Sequence, residues 1–406
     1  MTYFEFVMNG FAKPLQCSPE QIEKDFFVAP KKVLGDKMMT QLDCLLHSPQ
    51  AEMEMEITMR TDLIGNDVNT VCADVQALYN FWSAGKKVFH ISKNLSRSLS
   101  AVELKTAWMY LHLPFPAFAI QFDEPQLAIP YEEDGSSHMV DTIFVFQQTL
   151  KRDPMLSLEF KGRRMLEIRE EVRALEKEST REWPVIKMVA MSRPEGSTPG
   201  NMAFGHFSSD LPESLIIDHP YVHTEISKRR KILPQRDGSS LNRHCIIPAP
   251  MIYADIWAEI FKILSYINSV NADVRLQDPP QFVRQKEIAR QQGRKVVPKK
   301  IFSKARELST LPYYAVGNSI HIPSGTPQTI TSVQGGGWKY SYRFQVIGHH
   351  RHYWMKKENV PERLKGLPME EKDGKVRVQM FVEAFWKGPD TAKILNREYD
   401  VDLPKD

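Results

Sequence analysis

From Met251 to Val270 the chain carries an apolar run that allows one kind of placement. Ile252, Ile256, Trp257, Ile260, Ile263, Leu264 and Ile267 recur at steps of three and four, after Pro248 and Pro250 set the start. The stripe is too wide for a helix resting on a single neighbour, so this helix must lie buried between other elements. Strands are available to cover it. Tyr340, Tyr342, Phe344 and Val346 alternate with Ser341, Arg343, Gln345 and Ile347, and a second run alternates from Val376 to Phe385. Asp373-Gly374 before the second run supplies a turn able to take positive φ, and the two runs read as an antiparallel pair.

Other segments complete a mixed inventory. Helices are expected from Pro19 to Phe27 behind a Ser18 cap, from Asp36 to His47 and from Asp67 to Ser83. Two more are expected from Ser100 to Leu113, where Ser100 and Glu103 form a capping-box pattern, and from Gly162 to Ser179. Phe118, Ile120 and Phe122 alternate as a strand, while Met139 to Phe146 and Pro184 to Met191 read as further strands. The fold class is therefore α+β, with mixed helices and antiparallel strands in two abutting lobes. Residues 1–195 form an acidic N-terminal lobe, 196–250 an irregular linker or long loop, and 251–406 a basic C-terminal lobe ending in the strand pair.

Charge separates those lobes. Residues 1–150 carry 11 Lys and Arg against 19 Asp and Glu, whereas 151–406 carry 42 against 31. Within the positive part, Gln281 to Thr310 holds nine basic residues, among them Arg290, Arg294, Lys295, Lys299 and Lys300, against two glutamates. Ser227 to His244 holds six against Asp237. Clustered cations release condensed counterions from a polyanion, so these runs are candidate nucleic-acid contacts; a solvated helix face and a loop are the alternative. The acidic stretch from Asp123 to Gly135 reads as turn chemistry. Apolar runs such as Ile143 to Phe146 are far shorter than a bilayer requires, the start lacks a cationic signal region, and the four cysteines are scattered. A cytoplasmic protein without membrane contact is the expectation.

Chemistry concentrates near the C-terminus. His349, His350, Arg351, His352, Tyr353, Trp354 and Lys356 follow Arg343 at what reads as a strand end, the mouth of the connection between the paired strands. On a strand His350 and His352 share a face and His349 points away, so two imidazoles could meet a metal with Glu383 or Glu358 as a third ligand. Arg343 and His349 also fit the spacing of a metal-independent ribonuclease pair, but that pair belongs on a helix. A core closed by Tyr353 and Trp354 is a further reading. The reading adopted is a recognition surface, with cations on phosphates or acidic groups and an aromatic ring stacking on a base or a peptide side chain.

The spacing of Gly348, His349, Tyr353 and Trp354 resembles the tail of a phage and plasmid protein family, from which His350, Arg351 and His352 depart. One branch of that family is a type V-A anti-CRISPR protein that triggers loss of the effector nuclease's messenger RNA during translation. The resemblance implies a non-catalytic binding protein of a mobile genetic element, contacting RNA, a translating ribonucleoprotein or a protein partner. A His-centred metal-dependent nuclease and a phage structural or assembly protein stand as alternatives. No nucleophile-base-orienter set, dinucleotide fingerprint or zinc-protease motif is present, and Gly335-Gly336-Gly337 lacks the context of a phosphate loop. Neither cofactor nor metal is expected.

Overall fold

The computed structural model describes residues 18–40, 68–100, 111–124, 127–130, 137–150, 183–194, 205–212, 249–293, 311–320, 342–346, 348–387 and 393–394, with a few single positions between them. An eight-stranded mixed sheet organises most of them. Its strands are β1 (Val88–Ile91), β2 (Ala117–Phe122), β3 (Ala128–Pro130), β4 (Ser137–Leu150), β5 (Trp183–Pro194), β6 (Gly205–Pro212), β7 (Val274–Gln277) and β8 (Tyr313–Val316). The spatial order is β6-β5-β4-β2-β1-β8-β7, with β3 beside β4. β1 runs parallel to β2 and β8; the other pairs are antiparallel.

Burial on both faces explains why the central strands are apolar almost throughout rather than alternating. The helices α1 (Pro19–Glu23), α2 (Ala29–Leu34) and α3 (Val68–Ser83) precede β1, and Phe81 of α3 meets Phe144 edge-on at 5.4 Å. The opposite face is covered by α4 (Lys93–Ser100) and α5 (Ala249–Ile267). There Ile256, Trp257, Ile260, Ile263 and Leu264 join Phe118, Ile120, Ile143, Val145 and Met188 in one cluster. The buried helix expected from its stripe lies there. The sheet draws strands from both sides of the expected 196–250 connection, and β6 lies within that stretch.

A smaller sheet stands at the C-terminal end of α5. It comprises β10 (His349–Lys356), β12 (Lys375–Val382) and β11 (Glu371–Lys372), in the order β10-β12-β11, while β9 (Tyr342–Val346) lies between β13 (Phe385–Lys387) and β14 (Lys393–Ile394). The exposed helix α6 (Pro280–Gln291) follows β7. Among the described residues no helix is long and apolar enough to cross a membrane.

Three local expectations need correction. Asp36 does not open a helix: Met39 lies outside any helix or strand and is buried, its N–H donating to Asn80 Oδ1 at 2.7 Å and its carbonyl accepting from Gln76 and Asn80 at 2.9 Å. Two buried amides on α3 outbid the local helical pattern, and Thr40 and Asp43 form the reciprocal cap instead. Ser100 ends α4, donating from Oγ to Arg97 O at 2.8 Å, rather than opening a helix, and residues 103–110 of the helix expected from Ser100 to Leu113 fall outside the described residues. Finally, β12 pairs with β10, and β9 pairs with β13. Gly348 breaks the first alternating run, and Val382 O and the Phe381 ring lie 3.3 and 3.2 Å from where its Cβ would stand. The histidines are thus the paired strand itself, and not the mouth of a connection. The Gly162–Ser179 helix falls outside the described residues.

Candidate functional site

Register fixes which side chains share a face of the small sheet. His349, Arg351, Tyr353 and Met355 stand opposite Val382, Met380, Val378 and Val376, while His350, His352, Trp354 and Lys356 stand opposite Phe381, Gln379, Arg377 and Lys375. Tyr353 and Met355 pack with Val360, Leu364, Val376 and Val378 into a satellite core. The same face exposes His349 and Arg351 at its other end. Tyr353 is therefore a packing residue, and burial raises its phenol pKa.

The opposite face is divided along its length. Near Phe381 it is sealed against the end of α5. Gln379 Nε2 donates to Ser265 O at 2.8 Å and Ser265 Oγ at 2.6 Å, which fixes the amide orientation, and it lies 3.1 Å from His350 Nδ1. Ser269 Oγ also approaches His350 Nδ1, at 3.5 Å, and His350 Nε2 is a buried atom with no hydrogen-bond partner among the described residues. Ser269 Oγ donates to Ser265 O, and the Arg363 guanidinium donates to Ser269 O. On the β11 side of β12, beyond the two-residue pairing with β11, Val270 N–H donates to Gln379 O, and the Asn271 amide pairs with both Phe381 N and Phe381 O, at 2.9 and 2.7 Å. One side chain thereby replaces a neighbouring strand.

Burial makes these imidazoles poor bases. His350 is pushed down to about 4 by desolvation, reinforced by the charges His352 and His349 would carry. His352 is also lowered by burial and by the Arg377 guanidinium, with partial relief from Gln379. Among the described residues no group of three or more His, Cys, Asp or Glu side chains could hold a metal ion.

Farther along, the same face opens to solvent. Trp354 is 39% exposed, Lys356 and Lys375 are exposed, and Arg377 lies directly across from Trp354. Glu370 accepts from Arg377 at 3.0 Å and Glu358 approaches Lys356 at 3.7 Å, so part of the positive charge is balanced locally.

The remaining candidates scatter. Arg290 is exposed in the last turn of α6. Arg343 belongs to β9, separated from His349 by Gly348 and a change of sheet. Arg294, Lys295, Lys299, Lys300 and the Ser227–His244 run lie outside the described residues. Sequence reasoning missed Ser265, Ser269, Asn271, Arg363 and Gln379. Their signal was present: Ser265 interrupts an apolar helix and Gln379 an apolar strand. A second unforeseen polar group lies at the carboxyl ends of β1 and β2, where His90 Nδ1 meets Asp123 at 3.2 Å and Lys93 and Arg97 both bind Glu124. Those two cations hold the Glu124 carboxyl below its ordinary pKa, Lys93 foremost.

No family model matches the chain, and no curated protein matches it. Among solved structures, the crystal structure of AcrVA2 is similar at a TM-score of 0.40 and 10% identity, over 95% of this chain and 99% of that one. The likeness is weak and confined to overall arrangement.

Proposed function

We propose that the chain is a non-catalytic binding protein that contacts RNA, alone or within a ribonucleoprotein, through the β10–β12 sheet. The observation that carries this reading is the divided face: His350 and His352 are half-buried, while Trp354 and Lys356 continue the same row into solvent opposite Arg377 and Lys375. An exposed indole among cations suits an unstacked base with its flanking phosphates. Charge alone is a weaker argument, because glutamates answer Arg377 and Lys356. Those imidazoles support binding over catalysis, since a ring held near pKa 4 and hydrogen-bonded to Gln379 is a docking group, poorly matched to proton transfer near neutrality. The biological setting in this reading is a mobile genetic element and an anti-CRISPR-like role, and it rests on the Gly348, His349, Tyr353 and Trp354 spacing alone.

The test combines Trp354→Ala, Lys356→Gln and Lys375→Gln and measures binding of a labelled single-stranded RNA across a salt series. Loss of one stacked base removes about 1–3 kcal/mol, so affinity should fall roughly 5- to 150-fold with the thermal midpoint nearly unchanged. Unaltered RNA affinity would remove this surface from the reading. A protein captured by wild type and lost with the same variant would replace RNA with a protein partner.

A further inference from the structure

At the amino ends of β1 and β8, on the main sheet, a groove of about 430 Å³ opens between Trp82, Gly85, Lys86, Lys87, Leu276, Leu311, Pro312 and Tyr314. That volume is within the range of small-molecule sites. Its walls have a definite chemistry. The Tyr314 ring stacks on Phe89 at 5.1 Å, and Trp82 is braced by Phe27 and Tyr79 and tethered through its indole N–H to Glu23, so the aromatic walls are held in place. Lys87 extends over the Phe115 ring, its Nζ 5.4 Å from the centroid. Lys86 is one of two non-glycine residues at positive φ among those described, in the turn that ends α3. The turn delivers two consecutive half-buried cations to the rim, and among the described residues that line the groove none is a carboxylate.

The surrounding chain gives this chemistry a direction. Leu276 on β7 is 65% exposed and leads within four residues into α6, where the run of nine basic residues begins. That run ends at Thr310, and the next two residues, Leu311 and Pro312, line the groove again. Of that run, Arg284, Lys286 and Arg290 stand exposed on α6.

We infer that the groove is a nucleotide subsite for single-stranded nucleic acid, with a base against Trp82 and Tyr314 and its phosphates on Lys86 and Lys87. This site lies on the main sheet and does not require the β10–β12 surface to bind. Rigid aromatic walls give sequence-tolerant stacking, and the exposed Arg284, Lys286 and Arg290 of α6 supply long-range attraction for a polyanion.

The experiment measures fluorescence anisotropy of a labelled 12-nucleotide single-stranded RNA with the full chain across a salt series. Lys86→Asn keeps a residue that tolerates positive φ, and Lys87→Met keeps the stem over Phe115. The double variant should bind at least tenfold more weakly at low salt, with a log–log salt slope shallower by about 1.4, the loss of two phosphate contacts. Leu276→Asp, on an exposed side chain, should weaken binding as well and guards against a folding artefact in the first variant. A DNA oligonucleotide of the same sequence and free AMP as competitors separate a strand from a mononucleotide as the occupant; competition by AMP alone overturns the strand assignment. Wild-type affinity and slope in both groove variants would overturn the site, and loss only in the β10–β12 variant would do so while leaving that surface in place. Loss only in the groove variants would refute the β10–β12 reading and leave the groove.

Discussion

Acidification should loosen the small sheet from the end of α5, and His350 sets the size of the effect. Its pKa is about 4 in the folded chain against 6.5 for a free imidazole. Between those values the unfolded or undocked state binds the extra proton, so stability is complete above about pH 6.5 and is lost as pH falls toward 4. The difference corresponds to roughly 3 kcal/mol, or about 2 once the partial exposure of the ring is allowed for. The amides of Val270 and Phe381 report the docking directly, since they donate to Gln379 O and Asn271 Oδ1. After correction for the intrinsic pH dependence of exchange, their hydrogen-exchange protection should fall about 20- to 60-fold from pH 7 to pH 4.5. His350→Gln, which cannot titrate, should flatten most of that profile, with a residual slope from His352, lowered in the same direction. Equal profiles for the two proteins, or protection that rises on acidification, would refute the reasoning.

Two stability predictions follow from backbone geometry. Gly317→Ala places a Cβ 2.6 Å from Leu95 side-chain carbons at φ +74°, so it should cost about 2–4 kcal/mol in urea unfolding, far more than the same change at Gly366, where nothing lies within 4 Å. Asn271→Ala leaves Phe381 N–H and O without their partner and should cost about 1–3 kcal/mol, with faster exchange confined to the β10–β12 sheet.

The elements most legible in the sequence were those whose pattern and burial agree. The helix around Trp257 and the strands at Phe118–Phe122, Met139–Phe146 and Pro184–Met191 have apolar side chains wherever the core needs them, so periodicity sufficed. Pairing was less legible. Two runs of alternating residues near the C-terminus suit each other in composition, yet the partner of β12 is decided by Gly348 and by the contact of Phe381 with Tyr266, ring centroids 5.2 Å apart, a long-range choice that no local pattern encodes. The candidate site shows the same division. Trp354 and Lys356 could be chosen by residue type, but that His350 faces inward while Trp354 on the same face is exposed depends on where α5 ends. Helix α4 escaped notice because only Leu95 and Leu99 of its eight residues are apolar and buried.

The pairing of β1 with β8 has a cost in time. Ser92 Oγ donates to Gly317 O at 2.7 Å across 225 residues of chain, where β1 meets β8, one strand in from the β7 edge of the sheet. At about 5–20 residues per second, a ribosome needs roughly 10–45 s to make that intervening length. Throughout that interval β1 presents Phe89 and Ile91 beside an unfilled backbone edge, the geometry that recruits foreign strands. The nascent chain must therefore be shielded until β8 emerges, and a fragment ending before Tyr313 should accumulate as aggregate rather than as a stable N-terminal half.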